Sequence, residues 1–265
     1  MTLRMDERNI GLKDMDNNLK YLKGAIHLHT NLSHDGTISI EQLAAFLKSK
    51  GYNFIAITEH SYDVDNNAMQ YLSNKAISLS SDDFTIIPGI EFRCHDDIDI
   101  MGLGVIQMCE HESPQKVIAH IHNCRGVAVW AHPSFRDYPF ERQWLEKLDG
   151  AEIWNQIHDS RFIPHSRSIK RFNNLLKGNS NLKAFCGLDM HTKNSYYFVS
   201  TTVSVHNNDQ MEILAALRGG SFKTQSRFFN FDANERVTLF YYSYIWAFNY
   251  LINIARWLRD ILSHG

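Results

Sequence analysis

Short apolar runs alternate with amphipathic segments along most of the chain, from Gly24 to Gly220. The first run alternates apolar and polar positions, which is typical of a strand with one buried face. Phe54 to Thr58 and Phe84 to Ile90 are continuous apolar runs, which indicate strands buried on both faces. The predicted strands lie at 24–29, 54–58, 84–90, 99–105, 126–131, 151–155, 184–188 and 197–205.

The segments between these runs carry helix signals. Ser39, with Gln42 three residues later, matches a capping box, and Gly51 ends the apolar stripe that follows. Ser113 and Pro114 mark a second start, because proline suits the first position of a helix. The predicted helices fall between 39 and 51, within 65–79, and at 114–124, 141–148, 165–177 and 210–218.

Strands that alternate with helices favour a parallel α/β arrangement. Polar residues stand at nearly every predicted strand end, which favours a barrel over an open sheet, since a barrel gathers these ends at one face. The sequence contains no G-x-G-x-x-G motif, no phosphate-binding P-loop and no internal repeat. We expect a lead-in at 1–22, a barrel at 23–220 and an aromatic extension at 221–265.

The amino-acid composition limits the class of protein and its cellular compartment. The 265 residues are 44% hydrophobic and 21% charged, as in globular proteins. A formal net charge of -2 gives no sign of a nucleic-acid-binding protein, although a local basic groove is compatible with this net charge. Four well-separated cysteines favour reduced thiols in a cytosolic protein. The charged first residues lack an apolar core, so we expect no signal peptide and a cytoplasmic location.

Ionisable side chains follow successive predicted strands at the point where each strand ends. Imidazole and carboxylate groups are the ligands that suit Zn, Mn or Fe. The set is too large for one ion, whereas two or three ions that share a bridging carboxylate would use every member. The candidate ligands are His27, His29, Asp35 in the first loop, His60, Glu91, His132, Asp189 and His191.

The order of the motifs around these residues resembles the polymerase and histidinol phosphatase (PHP) superfamily. The motifs are H-x-H at 27–29, Asp-Gly at 35–36, Thr-Glu-His at 58–60, Pro-Gly-Ile-Glu at 88–91, Ala-His-Pro at 131–133 and Gly-Leu-Asp-Met-His at 187–191. Each motif is weak alone, but six in order are specific. The resemblance covers about 24–220 and implies an α/β fold, a distorted (β/α)7 TIM-like barrel, with a two- or three-metal phosphoesterase site.

The resemblance also divides the candidate ligands among three ions. It assigns His27, His29, Glu91 and Asp189 to the first, Glu91 with His132 to the second, and Asp35, His60 and His191 to the third. One position departs from the family pattern, because Asp99 stands where H-x-x-G usually supplies a histidine. A carboxylate can still bind a metal, but it is a harder ligand and favours Mn, Mg or Fe over Zn. The count of two or three ions therefore stays open.

Other residues are candidates for phosphate binding and proton transfer. Arg93, Arg136 and Arg161 each lie close after a predicted strand, and we expect at least one to bind phosphate, with Arg161 the first choice. His60 or His191, if protonated, would act as a catalytic acid toward the leaving oxygen. Glu152 either hydrogen-bonds a metal-binding histidine or is an acid unconnected with the site.

The function predicted from this set is hydrolysis of a phosphate ester by metal-activated water. A nucleotide or the end of an oligonucleotide is the favoured substrate, by analogy with the stand-alone branch of the family. Phosphatase action on a small metabolite, such as histidinol phosphate or a sugar phosphate, is the alternative. A non-catalytic metal-binding partner module and an amidohydrolase-like hydrolase are rivals, although the nearly complete ligand set argues against the first.

The C-terminal segment is unusual, because 237–255 contains no charged residue. Its periodicity predicts a helix whose apolar side holds Leu239, Tyr242, Trp246, Tyr250, Ile254 and Trp257. Three interpretations compete: packing on the barrel or on a second copy of the chain, an interfacial helix at a membrane surface, and a true span. We therefore expect 237–262 to mediate either self-association or a peripheral membrane contact.

Overall fold

The structure, a computed structural model, describes residues 18–159, 162–226, 229–234, 237 and 239–263. The strands are β1 Lys20–Leu28, β2 Phe54–Ile57, β3 Glu59–His60, β4 Thr85–Ile87, β5 Gly89–Arg93, β6 Asp99–Leu103, β7 Val127–Trp130, β8 Gly150–Asn155, β9 Lys183–Gly187, β10 Ser200–Val205, β11 Phe222–Gln225 and β12 Asn230–Asp232. The helices are α1 Ile40–Ser49, α2 Asn66–Leu79, α3 Pro114–Asn123, α4 Arg142–Leu145, α5 Ser166–Gly178, α6 Gln210–Gly219 and α7 Leu239–Ser263.

Two six-stranded sheets form the centre of the fold. One has the order β12-β11-β10-β1-β2-β4, and the other has the order β3-β5-β6-β7-β8-β9. The chain passes from the first sheet to the second twice, between β2 and β3 at Thr58 and between β4 and β5 at Pro88. β2 with β3, and β4 with β5, each form one continuous strand path that belongs to both sheets. These two paths hold the sheets together on one side.

Backbone hydrogen bonds join the sheets on the other side. Leu188 N–H donates to the carbonyl of Ile26 at 2.9 Å, and His29 N–H donates to the carbonyl of Met190 at 3.0 Å. The segment after β9 thus pairs with β1, and seven strand paths surround one interior. This arrangement confirms the predicted α/β class, and its seven strand paths match those of the distorted (β/α)7 TIM-like barrel that the resemblance implies, with α7 as a C-terminal helical extension.

Both sheets contain parallel and antiparallel strand pairs, whereas the alternation of strands and helices predicted parallel strands throughout. β6 is antiparallel to both β5 and β7. Five residues, 94–98, connect β5 to β6, and that is too short for the helical crossover that parallel strands require. Beyond the barrel, β10 pairs antiparallel with β1, and β11 and β12 extend that edge from residues for which no strand was predicted.

Apolar side chains fill the barrel interior and one of its ends. Ile26, Phe54, Met101 and Val129 point inward from four strands and belong to one buried cluster. Helix α6 closes this end of the barrel with buried residues of the same cluster, namely Ile213, Leu214, Ala216 and Leu217. The apolar filling leaves the opposite end, where the predicted ligands lie, to the polar side chains.

Helix α7 packs on α5, mainly with a side other than the predicted one. Ile245 is fully buried, and Asn249 is buried with its Nδ2 donating to the carbonyl of Pro164 at 3.2 Å. Tyr242, on the predicted apolar side, packs against the core, but Trp246, Tyr250 and Trp257 of that side are between 55% and 62% exposed. Among the described residues, no helix is long and apolar enough to cross a membrane. Contact of 237–262 with a second copy or a membrane surface stays a prediction.

Candidate metal centre

The end of β1 places two imidazoles inside the barrel mouth. His27 and His29 are fully buried, and their ring centroids are 5.2 Å apart. Burial alone would lower the pKa of His27, but the carboxylates of Asp189, Glu152 and Glu91 outweigh it and hold that pKa well above its usual value. Burial holds the pKa of His29 well below its usual value, and the neighbouring imidazoles add to this effect. The pair therefore lies in a field that stabilises positive charge at His27.

Glu91, at the centre of β5, contacts histidines from three other strands. Its Oε1 lies 3.3 Å from His27 Nε2 and 3.2 Å from His132 Nε2, and its Oε2 lies 2.9 Å from His60 Nδ1. Burial would raise the pKa of Glu91, but these imidazoles hold it well below its usual value. An ionised, buried carboxylate that faces histidines with both oxygens has the arrangement expected of a bridging ligand.

Asp189 completes the inner group from the end of β9. Its Oδ1 lies 3.5 Å from His27 Nε2 and 3.6 Å from His29 Nε2. Asn155 Nδ2 donates to Asp189 Oδ2 at 3.1 Å, so the carboxylate is held from behind. Burial opposes ionisation, but the imidazoles of His27, His132 and His29 lower the pKa of Asp189 below its usual range.

A second group lies nearer to solvent. His60 Nε2 and His191 Nε2 are each 3.4 Å from one oxygen of Asp35, and the two nitrogens are 3.4 Å from each other. The Asp35 side chain is 45% exposed, whereas His60 is buried. Asp35 and His191 come from two separate loops and His60 from β3, and the structure brings them together as the resemblance implies.

Three of the candidate ligands have backbone angles that are unusual for residues other than glycine. The φ values are 63° at His27, 31° at His132 and 48° at Asp189. Each angle lies in or near the left-handed region, which costs free energy for a side chain with a Cβ atom. Strain that coincides with three strand ends around one cluster indicates that function, not folding, determines the backbone there.

Glu152 supports the cluster from below. Its Oε1 lies 2.8 Å from His27 Nδ1, and its Oε2 accepts the backbone N–H of His132 at 2.7 Å. A carboxylate on Nδ1 orients the ring and leaves Nε2 facing the centre. Glu152 therefore hydrogen-bonds a candidate ligand, which is one of the two alternatives that the sequence left open. Gly187 makes room for it, because a Cβ there would lie 1.8 Å from Glu152 Oε1.

The residues present fit divalent ions. The Nε2 atoms of His27 and His29 are buried and form no hydrogen bond, although polar atoms inside a protein are nearly always paired. Ligand atoms within each of four groups lie within 4.8 Å of one another. The groups are His27, His29 and Glu91; His27, His132 and Asp189; His29, His60 and His191; and Glu91, Asp99 and His132.

Asp99, the position that departs from the family pattern, lies in this last group. Its Oδ2 is 3.7 Å from His132 Nε2, and its Oδ1 accepts a hydrogen bond from Arg93 Nε. Burial and the nearby charge of Glu91 raise the pKa of Asp99 to about 6. Arg93 offsets the added negative charge, so a carboxylate can occupy the place that the family pattern implies for a neutral imidazole.

We expect Asp99→His to change metal preference without unfolding the protein. The variant replaces a hard oxygen ligand by an imidazole nitrogen, which favours Zn over Mn. Competition between Zn and Mn, followed by metal analysis of the dialysed protein, should show a shift of about tenfold toward Zn relative to wild type. Asp96→Asn, at an exposed carboxylate in the connection that precedes β6, is the control. An unchanged Zn-to-Mn ratio would remove Asp99 from the ligand set.

Cations and further groups line a pocket of about 370 Å³ above the cluster. Arg93 and Arg136 are among them, whereas Arg161 lies outside the described residues. The structure also brings in His158, whose Nε2 is 3.5 Å from Asp189 Oδ2, and the rings of Tyr62 and Phe135. Sequence reasoning missed these three residues, because none stands at a strand end or within a motif.

A cluster of histidines and carboxylates at one mouth of a (β/α) barrel defines a metal-binding barrel protein. Within that class the chain belongs to the PHP domain family, whose model matches residues 25–220. The resemblance drawn from the six motifs is thereby confirmed. No curated protein matches the chain.

Solved structures show the same fold at low identity. A two-domain protein from Bacteroides vulgatus containing a predicted PHP-like metal-dependent phosphoesterase matches with TM-score 0.55 and 17% identity, over 85% of this chain and 70% of the other. PsfC from Pseudomonas syringae matches with TM-score 0.55 and 14% identity, over 79% and 92%. The lesion-specific endonuclease PfuEndoQ from Pyrococcus furiosus matches with TM-score 0.53 and 12% identity, over 77% and 58%.

Proposed function

We propose that the protein is a metal-dependent hydrolase of phosphate esters. The observation that carries the proposal is the position of Glu91, ionised and buried, in contact with His27, His60 and His132 at the floor of a pocket that two arginines line. Anionic ligands below and guanidinium groups above provide separate places for divalent cations and for a phosphate group.

The proposed cofactors are two or three divalent ions, with Mn, Fe or Zn as candidates. Bound ions would lower the pKa of a water molecule and neutralise charge on the phosphate. Four overlapping groups of ligands provide enough donors for three ions, whereas the pairing of Asp99 with Arg93 favours two. Glu152 and Asn155 would hold His27 and Asp189 in place throughout the reaction.

The chain's own residues would bind the phosphate and transfer a proton. Arg93 and Arg136 both line the pocket, and planar guanidinium groups match the geometry of phosphate oxygens. Burial lowers the pKa of His60, but the hydrogen bond with Glu91 and the charges of Glu91 and Asp35 raise it above its usual value overall. Of His60 and His191, the one that does not bind an ion is the proposed group that protonates the leaving oxygen.

The favoured substrate class is a nucleotide or the end of an oligonucleotide. The pocket volume of about 370 Å³ suits a ligand of this size, and PfuEndoQ, one protein of similar fold, is an endonuclease. A phosphatase of small metabolites would use the same centre, so substrate class separates these two candidates. A non-catalytic metal-binding module would keep the ions and release no phosphate.

The test is metal analysis of the purified protein paired with a phosphate-release screen. The screen covers nucleoside monophosphates, short 5'-phosphorylated oligonucleotides, sugar phosphates, histidinol phosphate and 4-nitrophenyl phosphate, with Mn, Fe or Zn added. We expect two or three ions per chain and release from the nucleotide class first. His95→Ala, at an exposed histidine paired with Glu112, is the control variant and should retain wild-type turnover. Full metal content without release from any substrate would favour the non-catalytic module.

A further inference from the structure

Two large aromatic rings stand exposed at the pocket, in a site lined mainly by ionisable side chains. Tyr62 is 52% exposed and Phe135 is 40% exposed, and both line the pocket with Arg93 and Arg136. Single exposed aromatic residues are common on protein surfaces. Two of them on the walls of one polar pocket are not explained by metal or phosphate binding.

Tyr62 is held beside the outer ligand group. Its ring stacks on His60 with centroids 5.0 Å apart and an interplanar angle of 12°. The Arg93 guanidinium lies 5.3 Å from the Tyr62 ring centroid. Stacking and the cation–π contact fix the plane of the ring and leave part of it open to the pocket.

Phe135 has a corresponding position beside His132. Its centroid is 6.3 Å from that of His132 in an edge-on contact and 4.2 Å from that of His158. The Arg136 guanidinium lies 5.4 Å from the Phe135 centroid. Each wall thus combines an oriented ring with an arginine, and each contacts a histidine that touches one of the two Glu91 oxygens.

We propose that Tyr62 and Phe135 form a binding site for a planar aromatic ring carried by the leaving group of the substrate. The inference rests on the proposed phosphoesterase function and narrows its substrate class. A phosphate held by the metal centre and the arginines leaves the attached group between these walls. Aromatic side chains bind planar rings by stacking with little dependence on which ring is present. Both a nucleobase and an aryl ester would satisfy this chemistry.

The test uses Tyr62→Leu and Phe135→Leu in the full-length metal-loaded protein, with Tyr62→Phe and Phe135→Tyr as conservative partners. The substrates are adenosine 5'-phosphate, 4-nitrophenyl phosphate and ribose 5-phosphate, of which the last has no aromatic ring. We expect each leucine variant to raise KM about tenfold for a ring-bearing substrate and to leave KM for ribose 5-phosphate unchanged. The conservative variants should restore wild-type KM. Tyr71→Leu, at a tyrosine of α2 that is 49% exposed, is the matched control.

The substrates separate the possible sources of the ring. An effect confined to adenosine 5'-phosphate assigns the walls to a nucleobase, and an effect confined to 4-nitrophenyl phosphate assigns them to an aryl ester. An equal rise of KM for ribose 5-phosphate, or no rise for either ring-bearing substrate, overturns the inference. If wild type releases no phosphate at all, the proposed function fails on its own. Calorimetric binding of adenosine 5'-phosphate to wild type and the leucine variants then tests the ring site separately.

Discussion

Replacing His27 and His29 together by alanine should reduce phosphate release from 4-nitrophenyl phosphate to background, with added Mn present. Both imidazoles are fully buried and face Glu91 and Asp189, so the variant loses two of the four ligands assigned to the first ion. No nearby side chain can replace two ligands at once. Metal analysis of the dialysed variant should show at least one ion fewer per chain than wild type.

The fold should survive this change at reduced stability. Without His27, the buried Glu152 loses one partner, which costs about 1–3 kcal/mol. His29→Ala alone leaves that contact intact and isolates the effect on the metal, while circular dichroism monitors folding. If the double variant, folded and supplied with Mn, turns over near the wild-type rate, the assignment of the first ion is wrong.

Gly187→Ala should disturb the centre without replacing a ligand. The added Cβ would lie 1.8 Å from Glu152 Oε1 and 2.9 Å from the Cβ of His27, so Glu152 must move. His27 then loses the acceptor on its Nδ1, and loss of such a contact typically weakens metal binding 10- to 100-fold. Overpacking a close contact also costs about 1–3 kcal/mol of stability.

Titration calorimetry with Mn and denaturant unfolding measure the two effects of Gly187→Ala. Gly219→Ala, at the end of α6, is the matched control, because a Cβ there meets no atom within 4 Å. Equal metal affinities for Gly187→Ala and wild type would mean that Glu152 does not orient His27.

Most strand ends, and the candidate ligands near them, were predictable because period-two alternation and buried apolar runs place polar residues where strands stop. His27, His132 and Asp189 follow this rule, whereas Glu91, which the apolar run 84–90 placed after a strand, lies at the centre of β5. The direction of β6 was not predictable from alternation, since a strand reached by a short turn has the same apolar pattern as one reached by a helix. Connection length carries that information, and the five residues before Asp99 are the available signal.

Sequence patterns indicate the candidate ligands, but only the tertiary structure shows which aromatic residues line the pocket. Tyr62 and Phe135 lie in loops, where no periodicity distinguishes a ring beside the site from one on an outer surface. The prediction of which side of α7 packs on the barrel was wrong for a related reason. Its strongest apolar stripe contains Trp246 and Tyr250, yet α5 contacts the side that carries Ile245 and Asn249. Hydrophobic periodicity identified the helix but not its partner.

The distribution of the ligands along the chain has a consequence for folding. His27 leaves the first strand of the barrel, Glu91 a middle strand, and His191 the loop after the last barrel strand. A bound ion would therefore cross-link residues that lie far apart in the sequence, as a long-range disulfide does. Any such contact that persisted in the unfolded state would lower the conformational entropy of the unfolded chain. Because the complete site exists only in the folded barrel, ion binding and closure of the last strand onto the first would be one cooperative event.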